Sequence, residues 1–498
     1  MDESVPLEMS PDEFRRLGHQ LVDRIAALLA GIRQLPVTSG ETPTQVRSVL
    51  GAGGLPEQGS SATELLDETW RYLVGHSLFN GHPRFAGYVT SSAAPIGVLA
   101  DLLASALNPN CGAWILSPAA TEVEVQTIRW IAEFIGYPSS CGGLLVSGGN
   151  MANFVGFMAA RKAKAGWDIR ADGLTGTLAK RLLVYASTET HTWIHKATDL
   201  AGLGTNSIRW IPVDDSLRIR TSVLRTTIEA DLESEAQPFL IVGSAGTVST
   251  GAVDALPELA KIARDFGLWF HVDGAYGAPA AALPGTPADL RGLAEADSLA
   301  VDPHKWFYAP LEAGCALVRN PQHLVDTYDY SPEYYRFDAD SEERAINFYA
   351  YGPQNSRGFR ALKVWLALKV AGREGLKRMI ARDILMARAL YREVQEHSEL
   401  EALSQELSIT TFRYVPVDLD RGDPSVAEYL NRLNEQLLDR IQKSGEAFLS
   451  NAVVHGKFAL RACIVNFRTT MADVEAIPRI VIKLGAECDR AQRRPERA

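Results

Sequence analysis

Ser298-Leu299-Ala300-Val301-Asp302-Pro303-His304-Lys305-Trp306-Phe307-Tyr308-Ala309-Pro310 passes from an apolar run to a lysine set between two bulky rings. Ser298 to Val301 read as a short buried strand, so Lys305 falls just beyond a strand's carboxyl end. An ammonium there loses hydration worth on the order of several kcal/mol, so it shifts its pKa down, finds a partner or is used covalently. The third outcome makes it a Schiff-base lysine. Lysines at strand ends commonly snorkel to water, so the reading depends on what else the chain places at such ends.

Outward from this segment, short apolar runs recur at Leu182–Tyr185, Phe239–Val242, Leu268–Val272 and Cys315–Val318. They do not alternate apolar with polar, as expected of strands covered on both faces. Helical stretches lie between them, among them Leu256 to Phe266, whose Leu256, Leu259, Ile262, Ala263 and Phe266 share one side. Strands alternating with helices predict an α/β fold, a mainly parallel sheet with helices on both faces. Ligands of such sheets sit beyond the carboxyl ends of the strands. Ser147, His191, Thr247, Asp273 and Lys305 all fall at those ends.

The chain of 498 residues is too long for one ordinary core and predicts two or three domains. A net charge of −10 leaves no basic excess to neutralise nucleic-acid phosphates. Cys111, Cys141, Cys315, Cys463 and Cys488 form no CxxC pair and no metal-ligand spacing, which predicts a reduced, cytoplasmic protein without a metal site. No apolar run reaches the length of a membrane span, so no membrane partner is expected.

Ser10-Pro11-Asp12-Glu13 opens a helix with an N-cap serine and a proline at its first position. Leu17, Leu21, Ile25, Leu28, Leu29 and Ile32 then form one apolar stripe, which fits a dimer-forming arm. Residues 36–61, rich in Gly, Pro, Ser and Thr, read as an extended connector. From Phe85 to Pro118 small polar groups mix with rings, as in a pocket wall or a helix-loop-helix, and a helix follows from about Thr121 to Ile135. Between Asp329 and Ser356 no period holds, and tyrosines crowd the stretch, which predicts a mobile lid. A long helix begins near Gly358. Strands near Ile409–Val415 and Leu460–Phe467 belong to a smaller unit, and the tail from Arg490 is expected to fray. The domains expected are residues 1–85 (helical arm and connector), 86–379 (large domain) and 380–498 (small C-terminal domain).

Leu144-Leu145-Val146-Ser147-Gly148-Gly149-Asn150-Met151-Ala152-Asn153 joins an apolar strand to a helix through a glycine pair, an arrangement that turns backbone N–H groups toward an anion. Trp269-Phe270-His271-Val272-Asp273-Gly274-Ala275-Tyr276-Gly277 puts an acid at a strand end, followed by small residues that let a flat ring approach. Ser187-Thr188-Glu189-Thr190-His191-Thr192-Trp193 supplies an imidazole at another. A lysine for an aldehyde, an acid for a ring nitrogen, a seat for a phosphate and a flat ring to stack on are together what pyridoxal phosphate requires of a protein. Each feature alone has an ordinary structural explanation, and the argument rests on their joint occurrence along one sheet.

The segments Ser147-Gly148-Gly149-Asn150, Thr190-His191, His271-Val272-Asp273-Gly274-Ala275-Tyr276 and Asp302-Pro303-His304-Lys305-Trp306 resemble those of the group II pyridoxal-phosphate decarboxylases, closest in kind to the aromatic-L-amino-acid decarboxylases. The likeness runs from about Pro11 to Thr469. It implies fold type I (aspartate aminotransferase-like), with a mainly parallel seven-stranded sheet and a smaller C-terminal α/β domain, in a homodimer whose active site lies at the subunit interface. It further implies that Lys305 forms the Schiff base with pyridoxal 5'-phosphate, Asp273 pairs with the ring nitrogen, His191 stacks on the ring and Ala275 packs on its other face. Gly148, Gly149, Asn150, Thr247, Asp302 and His304 match positions around the phosphate and the lysine. Asp302 stands where many aromatic decarboxylases have asparagine. Tyr334 resembles the tyrosine of the family's mobile catalytic loop, which returns a proton to the carbon that lost carbon dioxide, with Tyr335 near enough to compete. Relatives with phenylalanine there release aldehyde.

For the substrate, Tyr88 resembles an aromatic pocket residue where glutamate decarboxylases carry glutamine, which favours an aromatic amino acid. Asn80, Asn110 and Gly112 replace larger apolar side chains of the animal enzymes, so a roomier and more polar pocket is expected, with Asn110 and Trp114 on its wall. Ser356 falls where, in plant relatives, serine goes with phenolic substrates, which favours tyrosine or dihydroxyphenylalanine. The rivals are a decarboxylation-dependent aldehyde synthase, an aminotransferase that grips the substrate carboxylate through Arg461, and a silent protein that kept the fold.

Overall fold

The computed structural model describes residues 5–330, 345–420 and 423–493. Its large sheet has seven strands, β1 (Gly142–Val146), β2 (Leu182–Ser187), β3 (Ile208–Ile211), β4 (Gln237–Ser244), β5 (Trp269–Asp273), β6 (Ser298–Val301) and β7 (Gly314–Val318), in the order β1-β7-β6-β5-β4-β2-β3. From β3 to β6 all neighbours are parallel, and β7 runs antiparallel to β6 and β1. This is the mainly parallel sheet expected. Successive side chains of β5 meet helices on opposite faces. His271 lies against Gly156 of a helix, Gly149–Lys164, while Phe270 and Gly243 meet the side chains of Leu256 and Leu259. Two covered faces explain the unbroken apolar runs. Strand β3 gave no such run because it is the sheet's edge: Trp210 is partly exposed, and only Ile208 and Ile211 are buried.

The second sheet holds β8 (Leu400–Glu406), β9 (Ile409–Tyr414), β10 (Ser450–Val454) and β11 (Lys457–Cys463), antiparallel in the order β10-β11-β9-β8. A helix from Ala361 to Gln395, broken in direction at Gly372 (φ 64°), joins the two parts. Its Ile380 and Ile384 lie in the core of the large sheet, and its Met386, Leu390 and Val394 in that of the small one.

Several local expectations are corrected. The connector of residues 36–61 contains a helix, Pro43–Leu50, because Thr42 and Gln45 close a reciprocal capping box. The strand expected through Phe467 ends at Cys463. The tail is helical through Arg493, whose guanidinium bonds Asp489 and Asp418 and so holds that last turn.

At the N-terminus, α1 (Pro11–Gly31) is capped by Ser10, whose Oγ accepts from the Glu13 N–H at 3.2 Å. It buries only Leu17 fully. With α2 as Pro43–Leu50 and α3 as Ala62–Gly75, the segment is tied to the small sheet's domain by Arg33 to Asp473 at 2.7 Å and by Val37 N to Gly445 O at 2.9 Å. Helix α4 (Pro95–Leu107) leaves Leu99, Leu102, Leu103 and Leu107 each 50–64% exposed. Among the described residues, no helix is long and apolar enough to cross a membrane.

Candidate active site

Beyond the carboxyl ends of β4, β5 and β6 lies a cavity of about 370 Å³, within the size range of small-molecule sites. It is lined by Gly148, Gly149, Asn150, His191, Thr247, Asp273, Ala275, Asp302, His304 and Lys305, so every cofactor position named from the sequence reaches it.

After β1 (Gly142–Val146) the chain turns through Gly148 at φ 150° and ψ 180°, a region essentially confined to glycine, and enters α6 (Gly149–Lys164) after α5 (Pro118–Ile135) has packed behind β1. A Cβ on Gly149 would lie 2.7 Å from Asp302 Oδ2 and 3.2 Å from the Ala275 methyl. A Cβ on Gly314 would meet the Gly148 backbone at 2.5 Å. The glycine pair is therefore required by close approach. It brings the N-terminus of α6 to the cavity, where an anion is favoured.

His271 explains the approach to Asp273. It is fully buried between Ser298 Oγ (2.7 Å from Nδ1) and Asn153 Oδ1 (2.7 Å from Nε2), and burial pushes its pKa down to about 4. Trp269 Nε1 donates to the same serine at 2.8 Å. The chain Trp269, Ser298, His271, Asn153 thus locks β5 to β6 and to α6. Asp273 emerges at the end of β5, its Oδ1 accepting from Ala275 N at 3.2 Å. His191 stands in the loop after β2, and its Nδ1 accepts from Trp193 N at 3.2 Å. Loss of hydration lowers its pKa; the charge of Asp273 opposes that shift and the charge of Lys305 adds to it.

Lys305 finds a partner, the second of the three outcomes open to a lysine in such a place. Its Nζ lies 3.0 Å from Asp302 Oδ2, with the lysine side chain 16% and the aspartate side chain 3% exposed. His304 gives its Nδ1 proton to Ala313 O at 2.6 Å, and burial lowers its pKa. Behind the lysine, Trp306 Nε1 (3.1 Å) and Tyr308 OH (2.7 Å) donate to one oxygen of Asp383, while Trp306 stacks on Tyr276 at 4.6 Å. Tyr276 OH in turn bonds Ser408 at 2.6 Å. Burial pushes the Asp383 pKa up to about 7. Asp383 and Ser408 were not foreseen, because nothing local marks a residue whose partners are distant in sequence. Gly246, also on the cavity and at φ 93°, could have been found from its place one residue before Thr247.

Tyr88, Asn110, Trp114 and Ser356 do not line this cavity. Tyr88 is 58% exposed, with its N–H on Ser450 Oγ at 3.1 Å. Asn110 Oδ1 accepts from Gly112 N and Arg357 N, each at 3.1 Å, which gathers Asn110, Gly112 and Ser356 in one loop cluster. Trp114 joins it through Asn347 Oδ1, which accepts from its N–H at 2.9 Å. Arg461 is buried, its Nε on Ser450 Oγ at 3.0 Å and a second donor on Val248 O. Tyr334 and Tyr335 lie outside the described residues.

The residues present fit pyridoxal 5'-phosphate: the cradle at Gly148–Gly149 that a Cβ would fill, an amine at its edge and a carboxylate at the end of β5 on one cavity. The model of the pyridoxal-dependent decarboxylase conserved domain matches residues 44–415, and the chain belongs to that family. The chain is a pyridoxal-phosphate-dependent amino-acid carboxy-lyase. It is 36% identical to an aromatic-L-amino-acid decarboxylase of Bacillus atrophaeus over 481 residues, 96% of each chain. It is 30% identical to a phenylacetaldehyde synthase of a Rosa hybrid cultivar over 465 residues, 92% of this chain and 90% of the other. The crystal structure of Oryza sativa TDC with PLP and tryptamine superposes with a TM-score of 0.89 at 27% identity, covering 97% of this chain and 99% of that one.

Proposed function

We propose that the chain converts an aromatic L-amino acid, with tyrosine or a dihydroxyphenylalanine-like acid favoured, to the amine and carbon dioxide. The observation that carries this reading is the meeting of Lys305, Asp273, His191 and the Gly148–Gly149 turn on one cavity. Pyridoxal phosphate, when bound, supplies a sink for the electron pair left as carbon dioxide departs. Lys305 would hold that cofactor through its Nζ, the amine at the cavity's edge. Asp273, at the end of β5 on the same cavity, would hold a proton on the cofactor's ring nitrogen. His191, whose pKa is lowered by loss of hydration, would offer a flat face to the ring, and the Ala275 methyl on the same cavity would pack on its other side. Gly148, Gly149, Asn150, Thr247 and His304, which line the cavity, would hold the phosphate. Tyr334 would return the proton to the substrate carbon.

The substrate pocket is completed across a homodimer interface. Support comes from the gathering of Asn110, Gly112 and Ser356 away from their own cavity and from the uncovered leucines of α4 beside them. A two-fold axis presents the same patch on both subunits, so each can lend this cluster to the other's cavity. Residues 1–85, 86–379 and 380–498 then act as dimer arm, cofactor domain and small domain, in a cytoplasmic enzyme whose five cysteines stay reduced.

The test is incubation of the cofactor-loaded protein with tyrosine, dihydroxyphenylalanine, tryptophan, phenylalanine, histidine and glutamate, with carbon dioxide, amine, aldehyde, keto acid and hydrogen peroxide followed together. Amine and carbon dioxide from an aromatic acid are expected. Preference for histidine or glutamate, or a keto acid product, overturns the reading.

A further inference from the structure

Asp302 is an acid placed where the cofactor's anion must come. Its Oδ2 lies 2.7 Å from the point a Cβ of Gly149 would occupy, against the glycine pair that opens α6. Its Oδ1 is buried with no hydrogen-bond partner, and its backbone is fixed by Asp302 N donating to Ala275 O at 3.1 Å and by Asp302 O accepting from Lys305 N at 2.9 Å. The carboxylate is withdrawn from water, its side chain 3% exposed. The charges that face it are few. Lys305 Nζ is at 3.0 Å and His304 Nε2 at 3.6 Å on its own segment, and His191 and Asp273 share the cavity from the β2 and β5 ends. Cys315 of β7 is buried beside it. His304 already gives a proton to Ala313 O through Nδ1, and burial favours its neutral form, so Lys305 is the cation that balances Asp302.

We propose that Asp302 works against the cofactor's phosphate: its carboxylate, paired with Lys305 Nζ at 3.0 Å, stands as a like charge beside the phosphate seat at Gly148–Gly149. Asp302 then sets how tightly the cofactor is held. This goes beyond the assignment of Asp302 as a phosphate contact and rests on the phosphate lying at Gly148–Gly149.

The experiment titrates the cofactor-free, full-length protein with pyridoxal phosphate, with pyridoxal lacking the phosphate, and with inorganic phosphate. Absorbance follows the first two and calorimetry the third. Asp302→Asn, which keeps the shape, is expected to bind pyridoxal phosphate and inorganic phosphate about tenfold tighter or more, as relief of a like-charge contact allows. Pyridoxal should change by less than about threefold, since it brings no like charge. Asp302→Ser, smaller and also uncharged, should gain in the same direction. Equal or weaker binding of both phosphates by the variants overturns the proposal, as does an equal gain for pyridoxal, which would assign the effect to Lys305 alone. Gly149→Val tests the seat itself and should erase the preference for pyridoxal phosphate over pyridoxal. If that preference survives, the seat is misplaced and the proposal falls with it, a failure distinct from a silent Asp302→Asn.

Discussion

Arg357 and Glu124 form an ion pair sealed from water, with Arg357 Nη2 at 2.5 Å and Nη1 at 3.2 Å from the two carboxylate oxygens. The same guanidinium donates to Cys111 O at 3.0 Å and to Leu145 O at 2.8 Å, and Glu124 accepts from Leu145 N at 2.8 Å. One buried pair thus ties the Asn110–Gly112 loop to the strand that leads into the Gly148–Gly149 turn.

Breaking this pair leaves an uncompensated buried charge, which costs about 3–5 kcal/mol. Arg357→Met is therefore expected to lower the unfolding free energy, measured by urea titration, by that amount. A loss below about 1 kcal/mol would show that the site relaxes or admits water.

Lys305 and Asp273 should separate by their spectra. Lys305→Ala is expected to lose the absorbance of the lysine-bound cofactor and to slow decarboxylation by at least about 10²-fold. Asp273→Asn keeps the shape but not the charge, and should retain that absorbance while kcat falls about 10²–10³-fold, the usual cost of one lost electrostatic group. Stopped-flow and absorbance spectra on the same preparations decide it.

Stability should depend on pH through His271. Its folded pKa, about 4, lies below the ordinary 6.5, so it stays neutral in the fold while the unfolded chain takes a proton in that window. Its contribution is complete above pH 6.5 and is lost as pH falls toward 4, by up to about 1.4 kcal/mol per pH unit. The raised carboxyl of Asp383 acts with the opposite sign, stabilising less as pH rises toward 7. The measurement is consequently a difference: urea midpoints of wild type and His271→Gln should converge as pH falls from neutral to about 4.5.

The exposed leucines of α4 predict the assembly. Leu102→Glu with Leu103→Glu should convert a dimer to a monomer in light scattering, with activity falling about tenfold or more because charges at an apolar interface oppose association. Full activity in a monomer would show that each chain completes its own pocket.

Tyr334→Phe should turn the product from amine toward aldehyde, with oxygen and water consumed and ammonia and hydrogen peroxide released alongside carbon dioxide. Unchanged amine yield would pass the role to Tyr335.

The residues that meet on the cavity were legible because each sits in a short local pattern. An apolar run followed by Gly-Gly, by an acid and small residues, or by His-Lys-Trp is a statement about neighbouring residues, and strand ends on a parallel sheet converge by geometry. The capping box at Thr42 and Gln45 was equally local and was passed over under the Gly and Pro content around it.

The sequence by itself determined the alternating α/β order and the identity of the lysine, acid, imidazole and glycine pair, since period and residue type are short-range properties. Only the tertiary structure decided what those groups lean on. Trp306 meets Asp383 across 77 residues, Arg357 meets Glu124 across 233, and Arg357 N meets Asn110 across 247. Such pairs arise when packing removes water from polar groups and obliges each to find a partner, and no run of adjacent residues records which partner that is.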